Sequence, residues 1–256
     1  MGKLDGKIAL VTGAASGLGE ASARLMATEG ATVVLADINR EAGARVADEI
    51  GGAAEFAHLD VTSEAAWEGV ISGIVARHGG LNVLVNNAGV VVSATIEDTS
   101  LEQLNFVRAV NFDGPFLGCK HAIPAMAASG GGSIVNISSA ASIVGTPAYA
   151  AYSCTKGAVR SLTQTVAVHC KQRGNKVRCN SIHPGGVDTP MVHKLAEGAT
   201  PLSLEMTAVG KTSDRIANPI DVAYAVVYLA SDDADFVNGA ALSVDDGMAV
   251  GGFGLA

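Results

Sequence analysis

Charged and aromatic residues are scarce in this sequence, and their scarcity excludes several classes of protein. Of the 256 residues, 16% are charged and 4% are aromatic, whereas 48% are hydrophobic. A chain with so much apolar surface to bury does not have the composition of a disordered protein. The formal net charge is −8 and no cluster of Lys and Arg occurs, which argues against nucleic acid as a partner. The composition therefore indicates a compact globular protein.

Long hydrophobic runs and paired cysteines are also lacking. No apolar stretch approaches the roughly 20 residues of a membrane span, and the first apolar run meets glycines too soon for a signal peptide. Gly6 stands where a myristoylation motif requires Ser or Thr. No CxxC spacing occurs among Cys119, Cys154, Cys170 and Cys179, so we expect reduced and mostly buried thiols. These absences predict a soluble, cytoplasmic protein with no membrane partner.

Short apolar runs alternate with helical patterns along the chain. The apolar runs that predict strands are residues 7–12, 31–37, 55–61, 81–87, 132–139, 176–184 and 241–245. The helical patterns cover residues 17–30, 40–50 and 63–79, two helices within 100–129, then 150–173 and 219–230. Alternation with helices makes the strands parallel, and strands that are apolar throughout need helices on both faces. The pattern predicts an α/β protein with a doubly wound, Rossmann-type, seven-stranded parallel sheet, in a single domain over residues 1–256.

A glycine-rich turn follows the first predicted strand and begins the first helix. Its sequence is TGAASGLG, residues 12–19. The backbone N–H groups and the helix dipole at such a junction favour a bound phosphate. Gly13 would let the chain turn, Gly17 would permit close approach of the phosphate, and Gly19 would let helix and strand pack. A plain turn is the alternative, but the flanking strand and helix favour a dinucleotide site.

The end of the second strand indicates which dinucleotide binds. Asp37 lies 18 residues after Gly19, where a carboxylate can accept hydrogen bonds from the ribose hydroxyls of adenosine. A 2′-phosphate would meet this negative charge, and Ile38 offers it no cation. Arg40 is the one residue that weakens the prediction. We expect NAD rather than NADP, with capping of the next helix as the alternative role of Asp37.

Polar and turn-forming residues follow four later strands of the predicted sheet. They are Asp60-Val61, Asn86-Asn87-Ala88-Gly89, Ser138-Ser139 and Pro184-Gly185. The carboxyl ends of parallel strands share one edge, and open α/β sheets bind their ligands at that edge. Each segment could be a plain turn, since Asn, Asp and Gly favour turns. Their joint occurrence favours a single site.

The pentapeptide YSCTK places Tyr152 four residues before Lys156. Side chains with this spacing can meet on the surface of a helix. The pair is a weak signal by itself, because a packed Tyr with a solvated Lys is the alternative.

Taken together, these motifs resemble those of the short-chain dehydrogenase/reductase family over residues 5–250. The matching residues are TGAASGLG, Asp37, Asp60, NNAG, Asn111, Ser139, Tyr152, Lys156 and PGGVDT. Ser139 lies 13 residues before Tyr152, as the family pattern expects. The segments FLGCKHAIPAM and NSIHPGGVDTPM look like those of bacterial 3β/17β-hydroxysteroid dehydrogenases.

The resemblance implies an NAD-dependent alcohol dehydrogenase or ketone reductase that forms a homotetramer. The implied catalytic residues are Ser139, Tyr152, Lys156 and Asn111. The implied cofactor-binding residues are Gly13, Ser16, Gly17, Leu18, Gly19, Asp37, Asp60, Val61, Asn87, Ala88, Gly89, Tyr152, Lys156, Pro184, Gly185, Val187 and Thr189. We expect no catalytic metal, because none of the six histidines has a spacing such as HExxH.

In this interpretation Tyr152 exchanges a proton with the substrate oxygen. A free tyrosine has a pKa of about 10, so we expect the charge of Lys156, helped by the oxidised nicotinamide, to lower the pKa of Tyr152. Ser139 would hydrogen-bond the substrate oxygen and stabilise its developing charge. By the resemblance, Lys156 would also hold the nicotinamide ribose, and Asn111 would hold a water that links Lys156 to solvent. Val187 and Thr189 would bind the nicotinamide carboxamide.

Residues 190–218 form a long connection that we interpret as a mobile lid over the substrate. The segment contains Met, Leu and Val with few charges, which suits a lipophilic secondary alcohol or ketone such as a hydroxysteroid or a bulky cyclic alcohol. The alternatives are a diol, sugar or acyl ketone as substrate, or a dinucleotide-binding regulator without turnover. A regulator would need none of the four catalytic residues.

We make one further prediction for each of three residues. His183 is a possible residue of the cleft lining. Trp67, the lone tryptophan, is expected to pack in the core. Asp246 departs from the Asp-Gly-Gly that is usual in the family. We expect this difference to affect the geometry of a turn.

Overall fold

A computed structural model describes residues 2–197 and 216–250 of the chain. The described strands are β1 Ile8–Thr12, β2 Thr32–Asp37, β3 Ala54–His58, β4 Val83–Asn86, β5 Gly132–Ile137, β6 Val177–Pro184 and β7 Ala241–Val244. All seven join one sheet in the order β3-β2-β1-β4-β5-β6-β7, and every neighbouring pair is parallel. The predicted seven-stranded parallel sheet is confirmed. Its strand order reverses between β1 and β4, which is the switch point where such sheets bind ligands.

Helices connect these strands. The α-helices in the described ranges are α1 Gly17–Thr28, α2 Arg40–Ile50, α3 Glu64–His78, α4 Leu101–Arg108, α5 Gly114–Ala128, α6 Ala150–Arg173, α7 Pro190–Glu197 and α8 Pro219–Ala230. Between α4 and α5, residues Ala109–Asp113 form a π-helical turn that the sequence pattern does not predict. No helix in these ranges is both long and apolar enough to cross a membrane.

The apolar core has two layers, one on each face of the sheet. Alternate residues of a strand point to opposite faces. Ala9 and Val11 of β1 therefore pack in one cluster with residues of α1 and α8. Leu10, between them, packs in the other cluster with residues of α3, α5 and α6. Helices thus cover both faces, as the apolar strands predict, and the fold is a doubly wound single domain.

Trp67 of α3 anchors the second layer, so its predicted packing role is confirmed. Its side chain is 0% exposed, and its Nε1 donates a hydrogen bond to the carbonyl of Val61 at 3.0 Å. Helix α5 approaches this ring at Gly118. A Cβ added there would lie 2.9 Å from Trp67 Cη2 and 2.5 Å from Asn86 Oδ1. Only glycine fits at this position without movement of the core.

We expect Gly118→Ala to destabilise the protein by about 1 to 3 kcal/mol, because the added methyl overpacks the interior. The free energy of unfolding in urea measures this effect. Gly69→Ala in α3 is the matched control, since a Cβ at Gly69 meets no atom within 4 Å. That exposed helical change should leave stability unchanged or raise it by up to about 1 kcal/mol. Equal stability of the two variants would contradict this packing account.

Candidate active site

One cleft lies at the carboxyl edge of the sheet, where β1, β4, β5 and β6 end. Its lining consists of Gly13, Ser16, Gly17, Leu18, Asp37, Asn87, Ala88, Gly89, Ile137, Ser138, Ser139, Tyr152, Lys156, Pro184, Gly185, Val187, Thr189, Pro190, Met191 and Val192. The space within the cleft, together with the open solvent at its mouth, is about 920 Å³. Most of the residues that the sequence predicts for the site therefore share one cavity.

Four of the predicted site residues do not line the cleft. They are Gly19, Asp60, Val61 and Asn111. Gly19 instead packs α1 on the glycine loop, since a Cβ there would lie 2.1 Å from the carbonyl oxygen of Gly13. Asp60 is exposed after β3, and its Oδ1 accepts a hydrogen bond from the N–H of Thr62 at 2.9 Å. Their predicted roles toward the cofactor remain predictions.

The glycine loop is tied to the end of β4. Gly13 and Gly17 have φ values of 64° and 59°, in the left-handed region that favours glycine. Thr12 Oγ1 accepts hydrogen bonds from the N–H groups of Asn87 and Ala88, both at 3.0 Å. Asn87 Nδ2 donates to the carbonyls of Thr12 and Gly13 at 2.9 and 3.2 Å. These bonds fix the loop beside the cleft.

The first turn of α1 provides the amide donors of a phosphate site. Ser16 is the N-cap residue, is exposed, and makes no side-chain capping hydrogen bond. The first N–H groups of a helix have no partner within the helix. Together with the positive end of the helix dipole, these groups can bind an anion at this wall of the cleft.

Asp37 is placed to bind a ligand and does not cap a helix. Its Oδ2 accepts a hydrogen bond from the N–H of Ala15 at 3.1 Å, and its Oδ1 accepts one from the N–H of Asn39 at 2.9 Å. Asn39 is the N-cap of α2, because its Oδ1 accepts from the N–H of Ala42 at 3.1 Å. The capping alternative for Asp37 is therefore wrong. The carboxylate is held against the glycine loop and lines the cleft.

Tyr152 and Lys156 meet on the first two turns of α6. The ammonium nitrogen of Lys156 lies 5.6 Å from the centroid of the Tyr152 ring. Lys156 is only 3% exposed, and its Nζ donates a hydrogen bond to the carbonyl of Ile137 at 2.8 Å. The side chain of Ser139 is close enough to the Tyr152 hydroxyl to lower its pKa. The alternative of a solvated lysine is wrong, and the three side chains form one group.

Burial governs the ionisation of this group. Desolvation raises the pKa of Tyr152, and the nearby Ser139 side chain offsets this rise only in part. Desolvation lowers the pKa of Lys156 to about 8. In the protein alone the net shift of the Tyr152 pKa is therefore upward, and the lowering expected from Lys156 together with an oxidised nicotinamide remains a prediction. At neutral pH the phenol is therefore protonated and the amine is mostly charged.

Asn111 lies on the π-helical turn and holds the loop after β4. Its Oδ1 accepts from the N–H of Val90, and its Nδ2 donates to the carbonyl of Val90, both at 2.8 Å. Its Nδ2 also lies 3.3 Å from Thr155 Oγ1 on α6. A Cβ added at Gly89 would be 3.4 Å from Asn111 Oδ1 and 3.5 Å from Lys156 Nζ. The amide and the amine therefore both lie beside Gly89, and a water between them remains a prediction.

The opposite wall of the cleft comes from the chain after β6. Val187 forms an isolated bridge with Ala217, and Thr189 is buried just before α7. Beyond the predicted residues, α7 adds Pro190, Met191 and Val192 to the lining. Of the proposed lid, residues 198–215 lie outside the described residues.

Three further sequence-based expectations, for His183, Asp246 and the cysteines, have different outcomes. His183 is 0% exposed and is not part of the cleft lining, so that expectation is wrong. Asp246 adopts a φ of 50°, a conformation that glycine favours, which explains why glycine is usual there. The prediction of reduced, mostly buried thiols is confirmed, since all four are free and Cys154 is the exposed one.

The sequence analysis missed two contributors to the site. The carbonyl of Ile137 accepts a hydrogen bond from Lys156 Nζ, but a backbone carbonyl leaves no signal in a sequence. The hydroxyl of Thr12 anchors two amides of the β4 loop, and its position at the start of TGAASGLG was the signal available.

A cluster of potential metal ligands lies outside the cleft. Ligand atoms of Glu64, Glu68 and His121 come within 4.8 Å of one another. Lys120 forms an ion pair with Glu64, which satisfies that carboxylate without a metal. None of these residues lines the cleft.

Comparisons with known proteins agree with this architecture. A family model described as "Enoyl-(Acyl carrier protein) reductase" matches residues 13–249. A 3-alpha-(or 20-beta)-hydroxysteroid dehydrogenase of Mycobacterium tuberculosis is 44% identical over 98% of this chain and 92% of its own length. A 2,5-dichloro-2,5-cyclohexadiene-1,4-diol dehydrogenase of Sphingobium indicum is 42% identical over 97% of this chain and 98% of its own. A cyclopentanol dehydrogenase of Comamonas testosteroni is 41% identical over 96% and 98%.

We expect Lys156→Met to make the protein more stable at pH 7. The pKa of Lys156, about 8, is below its ordinary value of 10.5, so the folded state holds this proton less tightly than the unfolded state does. The resulting penalty is complete below pH 8 and disappears as the pH rises toward 10.5. Removal of the charge should therefore add on the order of 1 to 3 kcal/mol at pH 7, and less at pH 9.

Urea unfolding at the two pH values measures this difference. Lys171→Met, on an exposed position of the same helix, is the matched control and should show no pH-dependent gain. A Lys156→Met protein that is no more stable than the wild type at pH 7 would show that burial of this charge is not costly.

Proposed function

The chain belongs to the short-chain dehydrogenase/reductase family, and from this premise we propose that it is an NAD(H)-dependent oxidoreductase that interconverts a lipophilic secondary alcohol and its ketone. The relatives are named as hydroxysteroid, cyclopentanol and diol dehydrogenases, which supports alcohol–ketone chemistry. The observation that carries the proposal is the grouping of Ser139, Tyr152 and buried Lys156 in the same cleft as the glycine loop.

The residues of the cleft fit a nicotinamide dinucleotide. The glycine loop and the start of α1 would bind the pyrophosphate through backbone N–H groups. Asp37 would accept hydrogen bonds from the adenosine ribose, and its negative charge beside the apolar Ile38 favours NAD over NADP. On the other side, Val187 and Thr189 would bind the carboxamide, and Lys156 the nicotinamide ribose. When bound, the cofactor supplies the hydride acceptor and, in its oxidised form, a positive charge.

Several predicted cofactor contacts complete this proposal. They are Gly13, Ser16, Gly17, Leu18, Asn87, Ala88, Gly89, Pro184 and Gly185 in the cleft lining, and Gly19, Asp60 and Val61 outside it.

Tyr152 is the proposed acid and base. In alcohol oxidation its phenolate oxygen accepts the proton of the substrate hydroxyl, while Ser139 donates a hydrogen bond to the substrate oxygen. Burial opposes the phenolate, so a positive charge close to the ring is needed to form it. Lys156 provides one such charge at 5.6 Å from the ring centroid. Asn111 would hold a water that passes the proton from Lys156 to solvent.

A hydroxysteroid or a bulky cyclic alcohol is the proposed substrate. The relatives whose names include steroids and cyclic alcohols support this choice. Within the cleft, Pro190, Met191 and Val192 place apolar side chains on the wall formed by α7. An apolar surface of this kind favours a lipophilic ring over a charged sugar or acid.

We also propose a cytoplasmic homotetramer. Exposed Leu104, Phe106 and Phe116 on α4 and α5, and exposed Tyr224 and Tyr228 on α8, are apolar surfaces that subunit contacts would bury. The free cysteines are consistent with a reducing compartment.

A substrate panel with NAD⁺ tests the activity directly. We expect NADH formation, read by its absorbance, with hydroxysteroids and cyclic secondary alcohols, and weaker formation with NADP⁺. Turnover of only small charged substrates, such as sugar acids or acyl thioesters, would refute the substrate class. Binding of NAD⁺ with no turnover of any alcohol would favour a regulator.

Tyr152→Phe should lower kcat by about a hundredfold or more, because it removes the proton donor and acceptor. The affinity for NAD⁺, measured by calorimetry, should be nearly unchanged. Tyr149→Phe is the matched control, since Tyr149 lies three residues earlier at the start of α6 and has no proposed role in proton transfer. A Tyr152→Phe enzyme as active as the control would exclude the proposed acid–base role.

A further inference from the structure

We propose that His183 is a positioning residue. It fixes the Ser139 hydroxyl relative to Tyr152 and to the proposed nicotinamide site of the cleft. The inference rests on the proposed function and adds to it a residue outside the cleft. His183 lies near the end of β6, directly before Pro184 and Gly185 of the cleft lining.

The imidazole of His183 links β6 to the turn that follows Ser139. Its Nδ1 lies 2.8 Å from Ser142 Oγ and 3.3 Å from the carbonyl oxygen of Ser139. Its Nε2 lies 2.9 Å from Ser181 Oγ on β6. The side chain is 0% exposed, so these protein groups satisfy both ring nitrogens without solvent.

The hydrogen-bond partners determine which nitrogen carries the proton. Ser142 Oγ donates its single proton to the carbonyl of Ser139 at 2.6 Å, so it can only accept from His183. The carbonyl of Ser139 is also an acceptor. Both neighbours of Nδ1 therefore require Nδ1–H. Ser181 Oγ can then donate to the unprotonated Nε2 at 2.9 Å, which is a shorter contact than its other acceptor, the carbonyl of Ala240 at 3.3 Å. This is the neutral Nδ1–H tautomer.

The charges around the ring keep it neutral. Burial lowers the pKa of His183 most, and Arg160 and Lys156 on α6 lower it further. The backbone of Ser139 and the carboxylate of Asp245 oppose this shift without reversing it. At neutral pH the ring thus keeps its donor toward Ser139 and Ser142.

The peptide after Ser139 is held by three donors. Its carbonyl accepts from Ser142 N–H at 3.0 Å, from Ser142 Oγ at 2.6 Å and from His183 Nδ1 at 3.3 Å. Ser139 Oγ in turn accepts from the N–H of Ala141 at 3.2 Å. Since these bonds fix the residue that contacts Tyr152, loss of the imidazole donor should let the Ser139 hydroxyl move. A misplacement of about 1 Å in an active site can cost about a hundredfold in rate.

The alternative is a core histidine that contributes only stability, and a set of variants separates the two. His183→Asn keeps an amide donor near the Nδ1 position, whereas His183→Phe keeps the ring volume and removes both nitrogens. Ser142→Ala removes the hydroxyl that links the ring to Ser139. Ser181→Ala is the matched control, because it touches only the Nε2 side.

We expect His183→Phe and Ser142→Ala to lower kcat by about tenfold to a hundredfold, with KM and NAD⁺ affinity little changed. His183→Asn and Ser181→Ala should stay within about threefold of the wild type, so that the conservative variant rescues the rate. The contrary result is a His183→Phe enzyme that binds NAD⁺ and turns over substrate at the rate of the Ser181→Ala enzyme, with only its free energy of unfolding reduced. In that case His183 has a structural role alone.

A second measurement does not depend on turnover. Proton–nitrogen NMR of the full-length protein labelled with ¹⁵N-histidine should show a protonated Nδ1 and an unprotonated Nε2 for His183, assigned with the His183→Asn variant. The Nε2–H tautomer, or a ring charged at neutral pH, would overturn the inference whether or not the protein oxidises an alcohol. Absence of turnover with the expected tautomer would refute the proposed function and, with it, a catalytic positioning role.

Discussion

The burial of one ammonium group is the constraint on which the site depends. Lys156 is almost entirely removed from solvent, and the carbonyl of Ile137 and the face of Tyr152 are the groups that stabilise its charge. Because burial of a charge is costly, the amine must be held at a fixed place by such groups. This carbonyl belongs to Ile137, the last residue of β5. The end of a central strand therefore sets the position of α6, the helix that carries Lys156.

The same burial acts on the phenol and the amine in opposite directions. It raises the pKa of Tyr152 and lowers that of Lys156, which in both cases favours the neutral form. The protein alone therefore does not prepare the phenolate that alcohol oxidation requires. In our account the positive charge of the oxidised nicotinamide supplies the missing stabilisation. Proton transfer would then become possible only after the cofactor binds, which links the dinucleotide site and the catalytic group in function.

The sheet and most of the cleft could be predicted from the sequence because their signals are local. Apolar runs give the seven strands, and polar residues after each run give the shared edge. The π-helical turn that carries Asn111 could not be predicted, since it has no propensity signal. The bond from Asp37 to Ala15 and the burial of His183 depend on contacts between distant segments. The desolvation that raises the pKa of Tyr152 in the protein alone could not be predicted either, because spacing gives the charge of Lys156 and not the extent of burial.

The pKa of Tyr152 with and without NAD⁺ tests the central claim most directly. NMR titration of protein labelled with ¹³C at the tyrosine Cζ, assigned with the Tyr152→Phe variant, reports this value. The account predicts a pKa above the ordinary tyrosine value for the protein alone, lowered when NAD⁺ is bound. A pKa already below the ordinary value in the protein alone, or one that NAD⁺ leaves unchanged, would contradict it.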